Sequence, residues 1–190
     1  MSVGTDDLRI GSITELMEPQ ALIEEMPPSA AAVATVSKAR QAIHSILCGD
    51  DDRLVTVVGP CSIHDTDAAL EYAGFLQETA DALADDLCVV MRVYFEKPRT
   101  TVGWKGLIND PDLNNTFQIN KGLKRARGLL AQLAEQGLAA GTEYLDLISP
   151  QYLADLVSWG AIGARTTESQ THRELLSLIH ISEPTRLRTI

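Results

Sequence analysis

The sequence predicts a parallel α/β fold, and three observations carry that reading. Short apolar or β-branched runs alternate four times with amphipathic stretches of helical length. The runs are apolar on both faces, as expected of strands covered by helices on either side. Residues able to do chemistry gather just past the end of each run, where parallel α/β proteins build their ligand sites.

The elements follow in order. Ile13 to Glu25 and Ser29 to Leu47 read as two helices separated by Pro27 and Pro28, with Val36, Ala39, Ile43, Ile46 and Leu47 forming a helical stripe in the second. Residues 1–50 therefore read as a helical arm before the main fold. Leu54 to Val58 is the first strand, closed by Gly59 and Pro60, and a helix carrying Leu70, Ala73, Leu76 and Leu83 on one face follows. Leu87 to Tyr94 is the second strand. After a long loop, Ile119 to Gln136 forms the next helix, with Leu123, Ala126, Leu130 and Leu133 inward and Gly137 as its stop. Leu138 to Leu147 is the third strand, and Ser149 and Pro150 sit at N-cap and N1 positions of a helix burying Leu153, Leu156 and Val157. Ala161 to Ala164 and Thr167 to Leu176 form the last strand and helix. These units leave open whether they form an open sheet or a barrel; eight of them close a barrel of about 250 residues, so if the fold is a barrel, four units amount to half of one.

Composition narrows the function. The chain has 190 residues, 45% hydrophobic, and a formal charge of −10, which argues against nucleic-acid or anionic-membrane partners because both require cationic surface. Three cysteines, Cys48, Cys61 and Cys88, are too few and uneven for a disulfide scaffold. With no apolar leader in Met1 to Ile10 and no apolar window of membrane-spanning length, the chain reads as cytoplasmic. Charge is concentrated: residues 88–127 hold eight basic and three acidic groups, against eight and twenty-three in the remainder. Such a basic segment suits a small anion such as phosphate or carboxylate. Within it, Lys121 to Arg127 reads as a solvated helix face.

The strand ends supply the candidates. Cys61, in Gly59-Pro60-Cys61-Ser62-Ile63-His64-Asp65, places a thiol where it could bind metal or act as a nucleophile. Arg92 projects from the second strand, and Lys97 and Arg99 flank Pro98 in a loop running to Phe117, far beyond the usual two to six residues. Glu143 on the third strand, with Asp146 beyond it, is a proton-transfer candidate. Arg165 meets the same mouth beside a helix N-terminus. His44, His64 and His172 show no metal-ligand spacing and read as structural.

These residues are similar to a known family. The run Gly59 to Asp65, the stretch Arg92 to Gly106 with Asn109, Asp110 and Pro111, and Gly160 to Gln170 closely resemble class I 3-deoxy-D-arabino-heptulosonate 7-phosphate (DAHP) synthase, over about residues 5–176. The resemblance implies a (β/α)8 TIM barrel that condenses phosphoenolpyruvate with erythrose 4-phosphate, releasing phosphate at the head of the shikimate route. It implies Cys61 as a ligand of a divalent metal, and Arg92, Lys97 and Arg165 on phosphoenolpyruvate. It places Lys97, Arg99 and Thr100 on the erythrose 4-phosphate side, with Lys97 serving both as the catalytic cation. Glu143 joins the substrate-binding set. It also implies a homo-oligomer for the full-length protein and feedback inhibition by an aromatic amino acid, with residues 1–50 supplying regulatory and subunit contacts.

Past residue 176 the sequence departs from the family's expected fifth strand. Ser177 to Ile190 reads as a non-family tail, leaving residues 51–176 as the first half of the barrel. The expectation is a fragment with the parent enzyme's substrate-binding half, or one that retains only phosphate binding or subunit association.

Overall fold

In a computed structural model, residues 13–99, 101–163 and 166–179 are described. Four parallel strands, β1 (Leu54–Val58), β2 (Leu87–Arg92), β3 (Ala139–Glu143) and β4 (Trp159–Ala161), lie side by side in sequence order. Each joins the next by a crossover, and the register pairs Val57 with Val90, Arg92 with Gly141 and Glu143 with Ala161. The result is a half-barrel sheet, in agreement with the predicted fold class.

The helices are α1 (Pro19–Glu25), α2 (Ala30–Cys48), α3 (Thr66–Ala82), α4 (Ile119–Glu135), a single turn α5 (Pro150–Leu153) and α6 (Gln170–Ile179). The two faces of β2 show how the sheet is covered. Val89, Met91 and Val93 pack with Ala73 and Leu76 of α3 and with Leu123, Leu130 and Leu133 of α4. Cys88 and Val90 face the other way, where Ile43 and Ile46 of α2 cover them together with Ala139 and Trp159. Alternating side-chain direction along a strand produces this division. Arg40 pins α2 in place, donating from Nε to the Val157 carbonyl (3.0 Å) and from a terminal nitrogen to the Ala154 carbonyl (2.6 Å).

Several expectations need correction. The first helix begins at Pro19 rather than Ile13, since Pro at N1 sets its start. β3 stops at Glu143, because the Asp146 carboxylate accepts from the amides of Ile148 and Ser149 and turns the chain. Ser149 and Pro150 do occupy the N-cap and N1 positions of α5, but the Ser149 hydroxyl makes no capping bond and donates to Glu96 instead, and α5 is one turn followed by a 3-10 turn over Ala154–Leu156. β4 lies two to three residues earlier than expected, and α6 starts at Gln170. β1 is not covered on both faces: Leu54 is 67% exposed, and Val57 and Val58 are also exposed.

The run Lys121 to Arg127 is only partly a solvated face. Lys121 is exposed and Lys124 half-buried, and they pair with Asp112 and Glu25 respectively. Arg127 is fully buried, fork-bonded to Asp155 at 2.7 and 2.8 Å, and donates to the carbonyls of Met26 and Tyr152. It ties α4 to the chain after α1 and to α5. Among the described residues no helix is long and apolar enough to cross a membrane.

Candidate active site

The loop from Val93 to Gln118, expected to be long and irregular, is an ordered excursion. Glu96 and Gly106 form an antiparallel bridge, and the Lys97 amide donates to the Lys105 carbonyl at 2.9 Å. Residues between them are thereby lifted out as a hairpin-like tip carrying Lys97, Pro98 and Arg99. Gly106 makes the closure work: its φ is +113°, and a Cβ there would collide with the Phe95 carbonyl. Farther on, the buried Asp110 carboxylate accepts from the amides of Asn114 and Asn115, and the Trp104 indole N–H donates to the Asp110 carbonyl.

At the carboxyl ends of the strands this tip meets the neighbouring loops. Lys97 Nζ lies 2.9 Å from Cys61 Sγ. The thiol is exposed, and its pKa is held below the ordinary value, first by the hydrogen bond from Lys97 and its charge, then by Arg92 and Arg99. The Arg92 guanidinium carbon sits over the Tyr94 ring, 4.1 Å from its centroid, and its Nε is buried without a hydrogen-bond partner among the described residues. Gly59 permits this approach, since a Cβ there would come within 2.8 Å of the Arg92 carbonyl oxygen.

A cleft of about 650 Å³ opens beside these groups. Lys97, Arg99 and Lys105 line it from the loop, Glu143 from β3, and Asp146 from the turn after β3. Gly163 leaves room for the Glu143 carboxylate: a Cβ there would sit 2.6 Å from Oε1. The structure thus gathers Lys97, Arg99 and Glu143 in one cleft, with Cys61 joined through Lys97 and Arg92 adjacent to Cys61. Thr100 and Arg165 lie outside the described residues.

Sequence reasoning missed two lining residues. Lys105 had a signal, its place in the basic segment, but no motif role. Glu96 had none, because its role depends on a partner 53 positions away: its carboxylate accepts from Ser149 Oγ at 3.1 Å and from the amides of Leu145 and Asp146. Burial, then the negative charge of Asp146, push its pKa up to about 7. His172 is structural as expected: it is buried, with Nε2 donating to the Leu145 carbonyl and Nδ1 at 2.8 Å from Ser169 Oγ.

The resemblance implies a divalent metal, and Cys61 alone does not provide its site. Among the described residues no group of three or more His, Cys, Asp or Glu side chains is placed to hold an ion, and a metal centre needs about that many protein donors. The described residues therefore do not fit a complete metal site.

Comparison with known proteins gives a consistent picture. The model of the DAHP synthetase I family matches residues 29–182. The Phe-sensitive phospho-2-dehydro-3-deoxyheptonate aldolase of Escherichia coli (strain K12) is 63% identical over 177 residues, 93% of this chain and 51% of that protein. The Trp-sensitive aldolase of Salmonella typhimurium is 53% identical over 175 residues, covering 92% of this chain and 50% of that protein. The structure of a phospho-2-dehydro-3-deoxyheptonate aldolase from Francisella tularensis SCHU S4 superposes with a TM-score of 0.83 at 54% identity, over 87% of this chain and 49% of that one. The chain spans about half the length of these relatives.

Proposed function

The chain belongs to the DAHP synthetase I family, and from that premise we propose that it carries the phosphate-binding half of a synthase that joins phosphoenolpyruvate to erythrose 4-phosphate, giving DAHP and inorganic phosphate. The observation that supports this best is the convergence of Lys97 and Arg99 on one cleft, with Lys97 at 2.9 Å from Cys61 and Arg92 beside them. Four strands of a (β/α)8 barrel, with ligand groups at their carboxyl ends, fit the same reading.

The reaction demands such a site. Both substrates carry several negative charges and must approach within reacting distance, so fixed cations have to offset their mutual repulsion. Arg92, over the Tyr94 ring and with its Nε–H unspent, is suited to receive a phosphate or carboxylate edge. Arg99 and Lys97 form the erythrose 4-phosphate side together with Thr100, and Arg165 joins Arg92 on phosphoenolpyruvate. Lys97 stands between the two groups and is the cation that spans both substrates. Carbon 3 of phosphoenolpyruvate adds to the aldehyde, water adds at carbon 2, and the phosphate leaves with its bridging oxygen. Glu143 lies in the cleft where a proton-accepting carboxylate is of use to that water. For the divalent metal of the family reading, Cys61 is the donor these residues contribute, and Lys97 favours its thiolate form.

Feedback control by an aromatic amino acid, subunit contacts through residues 1–50, and assembly as a homo-oligomer belong to the same reading, supported by relatives described as Phe-sensitive and Trp-sensitive. The test is calorimetric binding of each substrate separately. Arg92→Ala is expected to weaken phosphoenolpyruvate about tenfold and leave erythrose 4-phosphate nearly unchanged, and Arg99→Ala is expected to do the reverse. Failure of either substrate to bind, or indifference to both substitutions, overturns the reading.

A further inference from the structure

Glu96 is the one acidic side chain of the Lys97–Arg99 tip, and it is turned inward. It is 9% exposed, and its donors all come from the turn after β3: Ser149 Oγ and the amides of Leu145 and Asp146. The Leu145 peptide is held from its other side as well, since its carbonyl accepts from His172 on α6. The turn after β3 is therefore held on one side by His172 of α6 and on the other by the Glu96 carboxylate, which accepts from Ser149 Oγ. The backbone of Glu96 also forms the bridge to Gly106 that lifts the tip.

We propose that Glu96 is a positioning residue for the anion cleft: its carboxyl, wedged between the tip and the turn after β3, sets how firmly Lys97 and Arg99 hold an anionic ligand. This rests on the reading of the cleft as a phosphate site. It goes beyond that reading by giving a role to a group that touches no substrate.

The protonation state that favours binding follows from the surroundings. Among the described residues, Asp146 on the turn is the charged group that acts on Glu96, while Lys97, Arg99 and Lys105 on its own loop and Glu143 on β3 line the same cleft. The cations lie along the solvent-filled cleft, whereas desolvation and Asp146 oppose a charge on the buried carboxyl. A folded arrangement that prefers the neutral acid is loosened, relative to an open and solvated loop, as pH rises through about 7. Anion affinity therefore falls as Glu96 ionises, and by reciprocity a bound anion raises the proton affinity of Glu96.

The probe is inorganic sulfate, whose charge does not change in this pH range, titrated calorimetrically into the whole chain. Wild-type affinity is expected to drop roughly fivefold between about pH 6 and about pH 8. Glu96→Gln keeps one donor and one acceptor end without the charge, and is expected to bind sulfate equally at both values, matching the wild type at the lower one. Glu96→Ala removes the tie and is expected to bind roughly tenfold more weakly at either pH. A purely packing role for Glu96 would give deficits independent of pH. The proposal is overturned if Glu96→Gln shows the wild-type fall in affinity, or if Glu96→Ala binds as well as wild type. If Glu96→Ala does not fold, the comparison of wild type with Glu96→Gln still decides. A wild-type chain that binds no sulfate, or whose binding ignores Lys97→Ala, overturns the anion-site reading and this proposal together. Lys97-dependent binding with no difference between Glu96→Gln and wild type overturns this proposal alone.

Discussion

Lys97 Nζ and Cys61 Sγ meet at 2.9 Å although 36 positions separate them in the sequence. The contact joins the loops that follow β1 and β2, and it exists because the Glu96–Gly106 bridge turns the second loop back over the first. One consequence is chemical. With Lys97 as the first cause of its lowered pKa, the Cys61 thiol is expected to alkylate faster at neutral pH than an ordinary exposed cysteine. Lys97→Met should shift the midpoint of its rate–pH profile upward and slow modification by iodoacetamide severalfold near pH 7, read by peptide mass spectrometry. Exposed Cys48, whose Sγ lies 3.7 Å from His44 Nε2 and has no lysine or arginine bonded to it among the described residues, serves as the internal reference. An unchanged Cys61 profile would show that Lys97 does not govern the thiol.

Arg127 carries a prediction about stability. Its guanidinium is fully buried and its four hydrogen bonds reach three segments: the chain after α1, α5, and, twice, Asp155 of the 3-10 turn. Replacing it by Ala strands the Met26 and Tyr152 carbonyls and leaves Asp155 without its partner. Asp155 is exposed and water can replace its partner, so the expected loss is about 2 kcal/mol, the scale for leaving the two carbonyls unpaired. Urea denaturation followed by circular dichroism measures it, and a loss below about 1 kcal/mol would mean that water replaces the guanidinium.

Much of this was legible in the sequence, and the exceptions have a common cause. β1, β2 and α4 declare themselves by local periodicity, and α4 ends where Gly137, with φ +90°, permits the turn. Cys61, Lys97 and Arg99 were found because they follow strand ends. Arg127 was misread because helical spacing shows that a residue shares a face with its neighbours, not what α1 and α5 bring against that face. Glu96 was missed for the same reason: its burial is created by Ser149 and Asp146, which no short window of sequence contains. The early end of β3 was hidden in one side chain, Asp146, whose two bonds to the following amides outweigh the apolar run of Leu145, Leu147 and Ile148.

Two glycines in helices are expected to respond oppositely to the same substitution. Gly122 of α4 lies against the loop after β2 so closely that a Cβ would collide with the Ile108 carbonyl, and backbone there has little freedom to yield. Gly74 of α3 has no neighbour within 4 Å of where a Cβ would stand. Gly122→Ala should therefore destabilise by about 2 kcal/mol or more, whereas Gly74→Ala should stabilise by about 0.5–1 kcal/mol through helix propensity. Chemical denaturation of the pair under identical conditions tests the packing of α4 against the loop that presents the site. Equal changes of the same sign would contradict it.

Glu96 also predicts how stability depends on pH. Its pKa is raised from 4.5 to about 7 in the folded chain, so the folded state binds the extra proton between those values. The stabilisation is fully present below about 4.5 and is lost as pH rises through about 7. The shift corresponds to an upper bound of roughly 3 kcal/mol, since one pKa unit is worth about 1.4 kcal/mol. Urea midpoints of wild type and Glu96→Gln, compared from about pH 5 to about pH 8, should therefore separate progressively in favour of the variant. Every other ionisable group is common to both proteins and cancels in the difference. If the two curves stay parallel, the carboxyl ionises freely in the folded chain and is not held by the turn after β3. Divergence in the opposite direction would mean that the donors from Ser149, Leu145 and Asp146 outweigh desolvation, and that the ionised form is the one that closes the loop.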